Sequence, residues 1–349
     1  MPESTSQNPE HKRRVRYKGT HPRRFEEKYK ELHIDKYGDD VQKVISRGQT
    51  PAGTHRPICV KEILDILDLM PGMIGVDATL GYGGHTQEIL QKILPNGKVY
   101  GLDVDPLELP KTESRLRSLG FTENNFIARR MNFAGLPQLI NESRCLFDFF
   151  LADLGVSSMQ IDTPDRGFSF KLDGPLDLRL NPNRGSPVSS LLKTLNSEEL
   201  AAILHDNADE PYCHVIADAI CKYDGPVTTT KQLASIIHDA LTQRRSVNPD
   251  DIKKSQQRVF QALRIYINNE YGVLDQLLSL LPSCLNPGAR VAFLTFHSGE
   301  DRRVKKSFQN GLRKGIYSSI APTPIRPTNE EKRSNPRSSC AKLRWAIKR

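Results

Sequence analysis

The 349-residue chain has no apolar run of membrane-spanning length, which excludes a helical membrane protein. Its first residues are polar and lack the apolar core of a secretory signal, so none is expected. The six cysteines, Cys59, Cys145, Cys213, Cys221, Cys284 and Cys340, form no CxxC pair and no zinc-like spacing with histidine. That pattern excludes a zinc ribbon and a disulfide scaffold. It reads as reduced thiols in a cytoplasmic protein with no metal. No internal repeat is present, so a solenoid or propeller is not expected.

What is there is concentrated in residues 76–85, Val76-Asp77-Ala78-Thr79-Leu80-Gly81-Tyr82-Gly83-Gly84-His85. An apolar run from Ile74 enters this glycine turn. Ile89, Leu90, Ile93 and Leu94 then repeat at helical spacing, and a second run, Val99 to Leu102, ends on Asp103. Strand, glycine turn, helix, strand and acid is the layout of a nucleoside-binding crossover. The glycines admit the ligand close to the backbone, and the acid suits a ribose diol. A tight turn that binds nothing is the alternative. Thr86 stands where the dinucleotide fingerprint ends on glycine, which disfavours a nucleotide-dependent oxidoreductase.

Charge is unevenly spread. Arg302 to Arg349 holds fourteen Lys/Arg against two acids, whereas the whole chain is only +9. The first 54 residues carry twelve Lys/Arg and eight acids. Basic ends on a near-neutral body point to a polyanion such as RNA, or to a solvated surface.

Residues 1–54 read as a basic extension, partly helical around Phe25 to Tyr37. Strands are expected at 74–78, 98–103, 126–131 and 146–152, with helices between, which implies a parallel sheet. Residues 162–186 form a loop rich in Gly, Pro, Asp and Arg, and 187–258 read mainly as helices. A helix from about Phe260 to Leu281 and a strand from Arg290 to Phe296 restore the alternation. The expected fold is therefore α/β, a domain over 55–161 and 259–349 interrupted by a mainly helical insert over 162–258. Ligand groups belong at the strand ends. The glycine turn, Asp103, the Asn132-Phe133 pair and Asp153 all fall there.

The chain resembles the bacterial ribosomal RNA small subunit methyltransferase H family (the MraW type). The resemblance rests on the glycine stretch, Asp103-Val104-Asp105-Pro106, Asn132-Phe133, and Leu151 to Gln160 (LADLGVSSMQ). It continues through Asp165 to Phe170 (DRGFSF), Asp173 to Arg179 (DGPLDLR), Phe260 to Ile265, Phe296 to Arg302, and the tail Asn335 to Arg344. It implies a Rossmann-like fold that uses S-adenosylmethionine (SAM) to methylate N4 of a cytosine in 16S rRNA, within the small ribosomal subunit. The implied cofactor positions are Gly83, Gly84, His85, Asp103, Phe133, Asp153 and Gln160. Tyr82, Val104 and Gly299 depart from the family pattern, and the N-terminal extension is not a typical feature of it.

No Asp/Asn-Pro-Pro-aromatic motif follows the fourth strand. Asp153 is the candidate catalytic residue instead, accepting from the cytosine amine or serving the methionine amine of SAM. Phe168 and Phe170 either face the flipped base or anchor their loop. Arg166 and Arg179 either meet phosphate or pair with Asp173 and Asp177. His297 either lines the pocket or is structural. A non-catalytic SAM- or RNA-binding assembly factor is the competing reading, and the oligomeric state, a homodimer included, is left open.

Overall fold

The computed structural model describes residues 57–244 and 247–349. The readings made for the N-terminal extension lie outside the described residues. Among the described residues, seven strands form one sheet: β1 (Ile74–Asp77), β2 (Lys98–Asp103), β3 (Phe126–Arg130), β4 (Phe147–Asp153), β5 (Leu285–Thr295), β6 (Tyr317–Ile320) and β7 (Lys342–Lys348). Their order is β3-β2-β1-β4-β5-β7-β6. Strands β1 to β5 are mutually parallel, and β7 runs antiparallel between β5 and β6. The chain begins in the middle, winds out through β2 and β3, then crosses back to place β4 on the other side of β1. Between β1 and β4 the winding direction reverses, the point at which open α/β sheets bind their ligands.

Strand β4 shows why this sheet is central. Phe147, Phe150 and Ala152 pack into one layer, and Phe149 and Leu151 into the other. All five are fully buried. A strand covered on both faces reads as a continuous apolar run rather than an alternation. Helices Leu136–Ser143, Glu270–Leu280 and Ser298–Arg313 cover the first face; helices Val60–Leu67, Gly84–Ile93 and Leu109–Ser118 cover the second. Each fully buried Leu, Ile or Phe contributes about 1.5–3 kcal/mol.

A third apolar cluster belongs to the segment after β4. It gathers Phe168, Leu176, Leu200, Leu204, Ile216, Leu233, Ile237, Val259 and Leu263. Its helices are Ser197–Ala208, Cys213–Cys221, Thr230–Thr242 and Pro249–Ile267.

Two elements differ from the sequence reading. The expected helix from Phe260 to Leu281 is two helices, Pro249–Ile267 and Glu270–Leu280. Asn269 between them is left-handed at φ 49°. The Asn268 side chain accepts from Leu180 N and donates to Leu178 O, so the break ties the helix to the 162–186 loop. Strand β5 starts at Leu285 rather than Arg290, absorbing Pro287-Gly288 as a register shift against Phe147–Phe149.

Candidate functional site

Strand β1 ends on Asp77, which is buried. Its Oδ2 accepts from Thr86 Oγ1 at 2.6 Å and its Oδ1 from Thr79 N at 3.2 Å, and burial raises its pKa. The strand end is thereby fastened to helix Gly84–Ile93. The glycine turn lies between them. Gly83 has φ 75°, and a Cβ there would stand 2.9 Å from Thr112 Cγ2. Both the conformation and the space call for glycine.

Two residues of helix Leu109–Ser118 hold the turn from behind. Thr112 Oγ1 donates to Gly81 O at 2.5 Å, and Arg115 donates to Tyr82 O. The Arg115 guanidinium also lies 4.1 Å from the Tyr82 ring centroid and donates to Gln87 at 3.2 Å. With their carbonyls held by that helix, these residues keep a fixed turn conformation.

Asp103, at the end of β2, accepts from Gly81 N and from Asp105 N, each at 2.9 Å. Burial raises its pKa to about 6 against those two hydrogen bonds. Asp105 is fully buried. Its Oδ2 accepts from Gln160 Nε2 at 2.8 Å and from Arg166 Nη1 at 2.7 Å.

At the end of β4, Asp153 N donates to Thr79 Oγ1 at 2.6 Å. Its Oδ2 lies 3.7 Å from His85 Nδ1. Its Oδ1 is shielded from solvent and has no hydrogen-bond partner among the described residues. Burial raises the Asp153 pKa to about 6; His85 opposes the rise, while Asp77 and Glu300 add to it. His85 Nε2 lies 3.0 Å from Ile58 O, which fixes the tautomer with the proton on Nε2. The bare Nδ1 then faces a carboxylate oxygen.

The other expected cofactor residues are placed as follows. Phe133 is partly buried on the short 3₁₀ turn after β3, which Asn132 caps by accepting from Ala134 N at 2.9 Å. Gln160 uses both ends of its amide, accepting from Ser157 N at 2.9 Å and donating to Asp105.

Of the five expected substrate residues, Arg166, Phe168 and Arg179 are neighbours, the Arg166 guanidinium lying 5.6 Å from the Phe168 ring centroid. Arg166 is buried and ion-paired with Asp105, a partner outside the expected Asp173 and Asp177, and it also donates to Arg179 O and Leu180 O. Arg179 forms a two-pronged pair with Asp177, both bonds 2.7 Å, which raises its pKa. Phe168 sits in the third apolar cluster at 8% exposure. Phe170 is partly exposed, its ring 5.9 Å from that of Phe260. His297 caps helix Ser298–Arg313 through Glu300 N, and its Nε2 is 3.1 Å from Glu300 Oε1. Burial opposes the charge on Glu300, but His297, Arg264 and Phe296 N outweigh it and hold the pKa low.

The sequence reading did not assign roles to Thr112, Arg115 or Asp105. Asp105 carried a signal, since it belongs to the Asp103-Val104-Asp105-Pro106 motif. Thr112 and Arg115 carried none, because their partners lie 31 and 33 positions away.

With this geometry in view, likeness to known proteins adds a chemistry. The family model of the MraW methylase family matches residues 52–349. A ribosomal RNA small subunit methyltransferase H 1 of Lachnoclostridium phytofermentans is 54% identical over 98% of this chain and 94% of its own. A ribosomal RNA small subunit methyltransferase H 2 of Alkaliphilus metalliredigens is 55% identical over 96% of this chain and 97% of its own. A ribosomal RNA small subunit methyltransferase H of a Cyanothece strain is 40% identical over 85% and 95%. The first two alignments reach well into the segment ahead of residue 52, so those relatives share much of the N-terminal extension. Among solved structures, an rRNA methylase from Streptococcus thermophilus overlaps 83% of this chain and 93% of its own at 13% identity, with a TM-score of 0.38.

Proposed function

Because this chain belongs to the MraW methylase family, we propose that it transfers a methyl group from S-adenosylmethionine to the N4 amine of a cytosine in small-subunit rRNA. The observation that carries the reading is the cluster at the carboxyl ends of β2, β1 and β4, where Asp103, the Gly83-Gly84 turn and Asp153 meet at the reversal of the sheet. One feature of it fits a nucleoside sulfonium ligand: a shielded Asp153 oxygen lacks a hydrogen-bond partner among the described residues.

Asp103 would hold the ribose hydroxyls, the Gly83-Gly84 turn and Gln160 the amino-acid end, and Phe133 the adenine. S-adenosylmethionine, when bound, supplies an electrophilic methyl. The chain's own task is to activate a weak nucleophile, since the cytosine amine lone pair is conjugated into the ring. Asp153 Oδ1 accepts an amine hydrogen as positive charge develops on nitrogen. A carboxyl with a pKa near 6 also serves as a base near neutrality. His85 Nδ1 lies 3.7 Å from its other oxygen.

The helical segment 162–258 is proposed as the insert that presents RNA. It is bonded to the cofactor loop through Arg166–Asp105. No helix among the described residues is long and apolar enough to cross a membrane.

The test is methyl transfer from isotopically labelled SAM to small ribosomal subunits lacking the modification, followed by nucleoside mass spectrometry. Labelled N4-methylcytidine is expected at one position. SAM binding with no transfer to the subunit or to free rRNA would favour a non-catalytic assembly factor.

A further inference from the structure

Outside the strand-end cluster, one cavity of about 420 Å³ lies on the segment 162–258. It is lined by Phe170, Lys171, Lys231, Ser235, His238 and Gln256, with Ala234 and Asp239 completing the wall. This volume is in the range of small-ligand sites. None of its lining residues belongs to the strand ends, so a base seated here is not the one offered to the donor methyl.

The lining has three chemistries. Phe170 presents a partly exposed ring, braced from behind by Phe260 at 5.9 Å. Lys171 and Lys231 are exposed, and neither is in an ion pair among the described residues. Gln256 donates to Ala234 O at 2.9 Å, which sets its amide plane and leaves Oε1 as an acceptor. Ser235 and His238 stand on the same exposed face of helix Thr230–Thr242. The carboxylate of Asp239 lies 3.3 Å from His238 Nδ1, so the acid is turned toward the imidazole. An aromatic face, two ammonium groups and a fixed amide edge match the base and phosphates of one unstacked nucleotide.

We propose that this cavity captures an unpaired nucleotide of the RNA substrate other than the cytosine that is methylated. Resting on the rRNA reading above, it assigns the 162–258 segment a specific grip on the RNA. The base lies against Phe170, its edge meets Gln256, Ser235 and His238, and its flanking phosphates meet Lys171 and Lys231. Such a grip strengthens RNA binding without entering the chemical step.

The test is steady-state methyl transfer to unmodified small subunits by the full chain carrying Lys171→Ala and Lys231→Ala together. A matched control carries Lys193→Ala and Lys253→Ala, two exposed lysines of the same segment outside the cavity. The cavity variant is expected to raise the subunit KM about tenfold, with kcat and S-adenosylhomocysteine affinity within twofold of wild type. The control should change KM less than threefold.

An unchanged KM in the cavity variant, or an equal loss in the control, overturns the inference while the methyltransferase reading stands. Micromolar binding of cytidine or uridine 5′-monophosphate, together with an unchanged subunit KM, would reassign the cavity to a free nucleotide. No transfer by the wild-type protein would remove the RNA reading and this inference with it.

Discussion

Asp153 shows how a candidate site residue is held against the preference of the fold. Its ordinary pKa is 3.8, and burial moves it to about 6. Folding therefore takes up a proton between those values. Stability from this group is complete below about pH 4, falls as pH rises through 6, and is flat above. At pH 7 the buried carboxylate costs roughly 1–3 kcal/mol. Asp153→Asn removes that charge, and the new amide can donate to His85 Nδ1. The variant is expected to be more stable than wild type by about that amount at pH 7 to 8, with the difference closing toward pH 4. Urea denaturation across that range checks it. Sequence reading found Asp103 and Asp153 because each closes an apolar strand. It could not see that Arg166 pairs with Asp105, since the two are 61 positions apart and nothing local links them.

At the scale of elements, the start of helix Ser298–Arg313 is fixed by a single fit. A Cβ on Gly299 would stand 1.8 Å from the Tyr271 hydroxyl oxygen. That hydroxyl donates to Asn207 O at 2.8 Å, joining helices Glu270–Leu280 and Ser197–Ala208. The Arg303 guanidinium covers the ring at 3.8 Å. Gly299→Ala should therefore destabilise the protein by about 1–3 kcal/mol through overpacking. Tyr271→Leu in the same chain should recover part of the loss. Thermal unfolding of the two single variants and the double variant checks this, and a strictly additive result would contradict it. Gly299 was legible only as a departure from a family pattern; its tyrosine partner was not.

Strand β7 was missed for a related reason. Lys342, Arg344 and Lys348 interrupt its apolar residues, and the segment reads as charge. In the structure Asp301 takes Lys342 at 2.7 Å and Arg344 at 2.6 Å, which lets Arg344 lie buried inside the sheet. The parallel strands were legible through apolar runs such as Phe149 to Ala152 in β4 and Val291 to Leu294 in β5.

At the scale of the molecule, the basic C-terminal segment divides into two parts. Arg302, Arg303, Arg337, Lys342 and Arg344 are ion-paired with acids of the fold. Lys305, Lys306, Arg313 and Lys314 are exposed, with no ion pair among the described residues. This second set is available to phosphate, as are exposed Arg333 and Arg349, which also show no ion pair among the described residues. Lys305→Glu with Lys306→Glu should raise the KM for small subunits several-fold and flatten its salt dependence, because each lost phosphate contact removes about 0.7–0.9 from the log–log slope. S-adenosylhomocysteine binding should not change. Subunit KM measured across a salt series checks this, and parallel slopes for variant and wild type would contradict it. Bulk charge foretold a polyanion, but which cations are free depended on contacts that only the fold creates.

The central claim is that methyl transfer occurs at the reversal between β1 and β4, with Asp153 accepting from the amine. The most direct measurement is single-turnover methyl transfer by Asp153→Asn with S-adenosylmethionine and small subunits both saturating, compared with wild type at pH 7.5. The account predicts a rate lower by about 10²–10⁴ in a protein that is folded and more stable. A rate within threefold of wild type would contradict it and place the chemistry elsewhere.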